Sequence, residues 1–340
     1  MNLFKSFGKT GKDHIGIDIG SNSIKTVELF QEKDIVRIKN IGYAKIEKPG
    51  SAESIANAVK ETAVMAKIMP GKDVAIAVPG SSVVVRFIEL PRMNEEELRN
   101  AIVFEAEKYI PFSLNEVVVD HQLLIPHLGD NKMLVLLIAA KKDIINERLD
   151  LINRAGMSAS VLDVVSLANV NAFLSAPQRN KSGTSAVVNI GAKATDINII
   201  AEGVLYFTRS IQIGGDDLTK SIMESMSLNL KDAEELKINP KDKTAEVAEK
   251  TKAMLRAIVD EIRLSFSYYE NQSGRNIEKV YLGGGVSKSN NICEIMKENL
   301  DVEIALWDPT AAIALEPSAD SQLVNSLKYQ MGTAIGLALR

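Results

Sequence analysis

The chain has 340 residues, enough for two domains with a core each. Apolar residues make up 46% and charged residues 25%, the balance of a globular chain, and a net charge of −4 argues against a nucleic-acid binder. A single cysteine, Cys293, excludes an intrachain disulfide, and no Cys or His spacing resembles a zinc site.

The N-terminal stretch MNLFKSFGKTGK is basic and lacks a signal core. Its Leu3, Phe4 and Phe7 form one small apolar face, either on a frayed tail or as a weak contact for a membrane or partner. Residues 15–19 read as a strand, 20–23 as a turn, 24–30 as a returning strand, and 35–44 as another strand. A helix over 54–67 carries Ile55, Val59, Thr62 and Ala66 along one side. A strand at 74–78 closes at Pro79-Gly80. After a strand at 83–90, Asn94 and Glu97 match a capping box for a helix that runs to about residue 109, before Pro111. Strands at 117–124 and 132–140 precede a helix at 143–155, ended by Gly156. The most apolar run, 133–140, is far shorter than the ~18 residues of a membrane span. A strand at 158–162 and a helix at 164–173 follow, and the polar stretch 177–183 marks a domain boundary.

The second half restarts with a strand at 186–190, a turn at Gly191 and a strand at 196–201. IDIGSNSIKTVEL and VNIGAKATDINII share one plan, a β-branched strand, a glycine turn and a returning strand, which suggests two related halves facing each other. In Ile213-Gly214-Gly215-Asp216, the aspartate is expected to cap a helix. Asn239-Pro240 breaks the chain before a long helix at 244–271, whose apolar side is Val247, Met254, Ile258, Ile262, Phe266 and Tyr269. A strand at 279–282 enters Gly283-Gly284-Gly285, a helix is expected from Ser287, and a closing helix at 329–339 carries Gly332 and Gly336 on one face.

Gly8-Lys9-Thr10 is not a Walker loop, because the required upstream glycine is missing. A phosphate would instead be held by N–H groups exposed in tight bends. The run Asp18 to Lys25 has the residues for such a bend. Gly20 admits a close approach, Ser21, Asn22 and Ser23 add polar groups, Asp18 can hold the water shell of magnesium, and Lys25 can offset phosphate charge. An ordinary hairpin fits the same residues. Gly283-Gly284-Gly285 suits a flat ligand lying on bare backbone, or a strained strand-to-helix turn. Glu234 and Lys237 share a helix face and can bind ribose hydroxyls or form a surface pair.

Taken in order, these pieces resemble the actin and heat-shock chaperone ATPase superfamily over nearly the whole chain. Residues 18–25 resemble its first phosphate motif and 189–196 the second, with Gly191, Ala192 and Thr195 in that turn. Gly214-Gly215 resembles the following Gly-Gly turn, the A-E-x-x-K run 233–237 the ribose side, and 282–286 the adenosine motif, with Lys288 just beyond. The run EAEKYIPF at 105–112, with Asp120 after it, is similar to the signature of the PilM family of type IV pilus assembly, which is related to FtsA. The chain also ends as that family does, without the membrane-binding helix of FtsA.

The resemblance implies an α/β actin-like ATPase fold, two domains around a nucleotide cleft with an FtsA-type inserted subdomain. Domain I is expected over 1–178, with the insertion at about 83–162. Domain II is expected over 179–340, with an outer helical part at about 217–278 and the closing helix packed back toward domain I. The implied cofactors are ATP and Mg2+, with Asp18, Asn189 (through water) and Asp196 at the metal. The implied role is a cytoplasmic adaptor at the inner membrane that binds the N-terminal peptide of PilN in a groove beside the insertion, and other pilus proteins, with self-association also allowed. Asn189 replaces the usual aspartate, so at most slow ATP hydrolysis is expected. Asp163 stands where the superfamily's water-positioning acid is found, and is equally placed to cap the helix after it. The rival readings are an FtsA-like cell-division scaffold that polymerises at the membrane and a small-molecule kinase of the same superfamily, for which no catalytic base or substrate-pocket motif is found.

Overall fold

The structure, a computed structural model, describes residues 13–32, 35–176, 182–288 and 292–340. Leu3, Phe4 and Phe7, and most of the expected boundary at 177–183, lie outside the described residues.

Val, Ile and Thr crowd the first strands, where branched side chains pack well on a pleated surface. β1 (Asp13–Ile19), β2 (Ser23–Glu32) and β3 (Ile35–Lys45) form an antiparallel meander. α1 (Ala52–Met65) follows, and the Ser51 side chain accepts from Ser54 N to start it two residues before the expected point. β4 (Asp73–Val78) then pairs parallel to β1.

β5 (Val83–Pro91), α2 (Glu95–Glu107), β6 (Val117–Ile125) and β7 (Lys132–Lys141) make a separate layer. Its three strands run in the order β5-β7-β6, and α2 covers them through Leu98, Ile102 and Ala106. The Asn94–Glu97 capping box forms as the sequence implies, with both hydrogen bonds at 2.9 Å. α3 (Lys142–Arg154) and β8 (Ser158–Val164) lead back, and β8 pairs parallel with β4. Strand pairing therefore confines the separate sheet to residues 83–141, a smaller unit than the expected 83–162. Alternation along 158–164 predicts a strand but carries no information on which sheet it joins. α4 (Val165–Ser175) is buried from Ser166 to Leu174, on every side.

The second half opens with β9 (Thr184–Ile190), β10 (Thr195–Ala201) and β11 (Val204–Ile211), again an antiparallel meander. α5 (Gly215–Met226), α6 (Leu230–Ile238) and α7 (Thr244–Ser273) follow, and all six residues read as the apolar side of the long helix are buried. β12 (Lys279–Gly283), α8 (Ile292–Leu300) and β13 (Glu303–Leu306) complete a five-stranded sheet, β11-β10-β9-β12-β13. In place of the helix expected from Ser287 there is a 3-10 turn, Gly285–Lys288, with α8 starting later.

β14 (Ala314–Leu315) returns to the first sheet and gives the order β14-β3-β2-β1-β4-β8. α9 (Ser321–Leu327), a 3-10 turn (Lys328–Gln330) and α10 (Gly332–Ala338) end the chain. The small residues of α10 let it lie against α4 and β1: a Cβ at Gly336 would stand 1.8 Å from the Ala168 carbonyl oxygen. Asn171 Nδ2 donates to Gly336 O at 2.7 Å and secures the same contact.

Candidate functional site

The two β-hairpins at the head of each half are built alike. In the first, Asp18 pairs with Lys25 and Ile19 with Ile24 across the turn 20–23. In the second, Asn189 pairs with Asp196 and Ile190 with Thr195 across the turn 191–194. Each turn begins at a glycine, Gly20 or Gly191. The side chains flanking the first turn form a buried ion pair, Lys25 Nζ to Asp18 Oδ2 at 3.1 Å. That ammonium also lies beside Gly20, 3.7 Å from where its Cβ would be. Arg148, on α3, reaches the same hairpin and donates to Ile19 O at 3.4 Å. Nothing in the local pattern around 148 marks that role, because it depends on how α3 returns to the sheet.

The second hairpin has no matching cation. Asp196 is 4% exposed, and burial pushes its carboxyl up to about 6, against hydrogen bonds from Ser210 and Asn189. Its Oδ1 has no donor. Ser210 sits opposite Asp196 on β11, a strand that the sequence pattern does not announce. From the first half, the 3-10 turn Gly80–Ser82 closes over this carboxylate, with the Gly80 Cβ direction ending 2.9 Å from Oδ1. Thr195 is fully buried and donates to Ile213 O at 2.8 Å, which ties the turn to the Gly214-Gly215 bend.

At that bend, Gly215 N donates to Gly191 O at 3.0 Å and Asp216 N to Ala192 O at 2.8 Å. Asp216 does not cap α5. Gly214 is the N-cap, and Asp217 in the first turn accepts from Gly214 N at 2.8 Å, because α5 begins two residues earlier than a cap at 216 requires. The Asp216 side chain instead reaches the other half, where Asn22 Nδ2 donates to its Oδ1 at 2.6 Å. Behind the bend, Lys237 Nζ bonds Glu234 Oε1 at 2.5 Å and Thr219 Oγ1 at 2.7 Å. Glu234 and Lys237 thus pair beside Gly215, and Thr219 is a third member that spacing alone does not reveal.

β12 delivers Gly283 beside Asn189. Gly284 has φ +95°, and a Cβ there would stand 2.2 Å from Ile190 O, so only glycine fits. Its N–H donates to Tyr329 O at 2.7 Å. Gly285 is exposed, and Lys288, whose side chain lies outside the described residues, ends the turn.

Asp163 does not take its expected role as the cap of α4. The N-cap of α4 is Val164, and Asp163 Oδ1 accepts from Val164 N at 2.7 Å. Its Oδ2 accepts from Arg340 Nε at 2.7 Å, in a pair buried on both sides. Burial raises the Asp163 pKa, and the Arg340 charge opposes that. Asp163 is level with Ala77 on β4, and Asp18 is level with Ala77 by the β1–β4 register, so the two acids stand two strands apart, roughly 10 Å. The Asp163–Arg340 pair closes one end of a cavity of about 270 Å³ between β8 and the three-stranded sheet. Val78, Val118, Ile138 and Leu162 wall it, and Asp120 and His121 stand at its polar side.

A family model described as type IV pilus assembly protein PilM matches residues 16–340. Among solved structures, the chain is similar to a PilM-PilN type IV pilus biogenesis complex, with 26% identity, TM-score 0.83, and 97% of this chain and 98% of that one covered. It also shares its fold with the ethanolamine utilization protein EutJ of Carboxydothermus hydrogenoformans, at 16% identity and TM-score 0.58, covering 99% and 94%. Curated relatives include the cell division protein FtsA of Bacillus subtilis (strain 168), 24% identical over 66% of this chain and 57% of that protein. FtsA of Streptococcus pneumoniae serotype 2 is 25% identical, over 66% and 55%. The chain spans little more than half the length of these FtsA relatives. With the match running from the first strand to the last residue, the chain belongs to the PilM family of type IV pilus assembly proteins and has an actin-like ATPase fold.

Proposed function

We propose that this chain is an ATP-binding adaptor on the cytoplasmic side of a type IV pilus assembly machine, held near the inner membrane by a PilN-type partner. The observation that carries the reading is the pair of hairpins in one register, joined by the Asn22–Asp216 hydrogen bond. ATP and Mg2+ fit these residues. The turns at Gly20, Ser21, Asn22 and Ser23 and at Gly191 and Ala192 offer N–H and hydroxyl groups to phosphates, with Lys25 behind them. Gly283-Gly284-Gly285 offers bare backbone to adenosine, and Glu234 and Lys237 stand at the ribose side. Buried Asp196, with an oxygen that lacks a donor, suits the water shell of a cation alongside Asp18 and Asn189. Among the described residues no cluster of three or more His, Cys, Asp or Glu could hold a metal alone, in keeping with an ion bound through phosphates and waters.

Asp163 can position a water only when Arg340 releases it, and Asn189 contributes no charge, so turnover well under about 1 per second is expected. A short apolar peptide from the partner fits the cavity beside the three-stranded sheet. Among the described residues no helix is long and apolar enough to cross a membrane, so attachment through such a partner suits the pilus context.

Two measurements test this. Millimolar Mg-ATP should raise the melting temperature of nucleotide-free protein, by about 2.7 kcal/mol of stability at a hundredfold excess over Kd. No shift at saturating Mg-ATP would defeat the reading. The N-terminal peptide of the partner should bind the wild type and not Val118→Arg, a change at a 47%-exposed position that leaves melting unaltered. Equal binding by both would move the peptide elsewhere.

A further inference from the structure

A carboxylate from the second half meets the first turn, which is proposed above to receive phosphate. The first turn presents the Asn22 side chain toward the second half, and its Nδ2 donor already serves Asp216 Oδ1 at 2.6 Å. Helix capping does not explain Asp216, since Asp217 accepts the Gly214 N–H. Nor does backbone geometry, since the Asp216 amide is satisfied by Ala192 O through its own N–H. The group is half-buried, and burial raises its pKa. The Asn22 hydrogen bond and the Lys237 and Lys193 charges oppose that rise, and the Glu234 charge adds to it. The half-buried carboxylate lies in the first turn of its own helix, where the dipole favours it, and what opposes it there is desolvation and the nearby Glu234 charge.

Carboxylate and phosphate oxygens are acceptors of one kind, drawn to the same N–H donors and to the positive end of a helix. Asn22 Nδ2 has a second N–H, but a phosphate oxygen drawn to it would stand within contact range of the Asp216 carboxylate, where like charges repel. We propose that Asp216 is an internal anion that bridges the two hairpins and that an incoming nucleotide phosphate must displace it from Asn22. This rests on the ATP-binding reading above. It makes Asp216 a determinant of nucleotide affinity that acts by competition and not by contact. It also makes phosphate binding and the release of the Asn22–Asp216 link one event, so the halves exchange a side-chain tie for a tie through the ligand.

The test is calorimetric titration of nucleotide-free protein with ADP and with ATP, each with Mg2+ and with EDTA. Asp216→Asn removes the charge with little change of shape, and Asp216→Ala removes the side chain. Both should bind nucleotide about tenfold more tightly than the wild type, with or without Mg2+. In an Asn22→Ala background, Asp216→Ala should gain almost nothing, because the contested donor is already gone. Unchanged binding by both single variants, with wild-type circular dichroism and melting, overturns the proposal. A full gain in the Asn22→Ala background also overturns it, since general charge repulsion would then be the cause. Weaker binding confined to the Mg2+ titrations overturns it too, and would make Asp216 a metal ligand. If the wild type binds and the variants gain nothing, only the exchange fails. If no form binds any nucleotide, the ATP-binding reading fails with it.

Discussion

At the row flanking its turn, the first hairpin buries Asp18 opposite Lys25, and the second sets half-buried Asn189 opposite buried Asp196. In the first, the buried carboxylate brings its own cation, and the pair satisfies itself at 3.1 Å. In the second, the acid faces neutral partners, Asn189 and Ser210, and burial holds its pKa near 6. Two hairpins of one design therefore differ in how they settle a buried acid, one by pairing it with a cation and one by hydrogen bonds from neutral partners, with ionisation pushed up to about pH 6. The second is the side that gains when a cation arrives, since a nearby positive charge favours its ionised form.

Breaking the first hairpin should have the largest effect. Asp18→Ala leaves Lys25 buried without its partner, which should cost about 3 kcal/mol in denaturant unfolding and abolish measurable Mg-ATP binding. Intact binding in a folded Asp18→Ala protein would mean that the two hairpins do not act as one clamp.

The contrast in charge sharpens into a pH profile at the second hairpin. The folded state keeps a proton on Asp196 up to about pH 6, whereas an unfolded aspartate loses it near pH 3.8. Between those values the folded state binds more protons, so this group's contribution falls as pH rises through the window and is flat above it. Relative to Asp196→Asn, the wild type should gain a few degrees of melting temperature on going from about pH 7 to about pH 5. Parallel profiles for the two proteins would show that Asp196 is ionised throughout. Mg-ATP should flatten the difference, since a cation replaces the proton.

The smallest change is Asn189→Asp, which gives the second hairpin the acid its counterpart has. Mg-ATP affinity should stay within about threefold, because an amide and a carboxylate both accept from a metal-bound water. Phosphate release should rise, and rise further with Arg340→Ala, which frees Asp163. A rise with neither change would place the water-positioning group elsewhere.

The parts legible in the sequence are those whose cause is local. The hairpins, the Asn94 capping box, the long amphipathic α7 and the Gly284 turn each rest on neighbours within a few residues, and each appears where its pattern predicts. What escaped depends on chain return. Arg148 at the first hairpin, Arg340 on Asp163 and Asn22 on Asp216 join residues far apart in sequence, with no spacing to announce them. β11, β13, β14 and α9 are short or carry mixed polar faces, so their periodicity is weak. The Asp216 cap failed for a narrower reason: α5 starts at Gly215, two residues before a cap at 216 allows, so Gly214 takes the cap position and Asp217 accepts its N–H.

The last helix has a mechanical consequence. Just before it, Tyr329 O holds the Gly284 amide; just after it, Arg340 holds Asp163. Between those grips the backbone advances roughly 16 Å at helical rise, and Gly336 packs against Ala168 on the way. One short stretch of chain, held at both ends, therefore joins the glycine turn to the cavity. If an occupant of the turn changes affinity in the cavity by some factor, an occupant of the cavity changes affinity at the turn by that same factor.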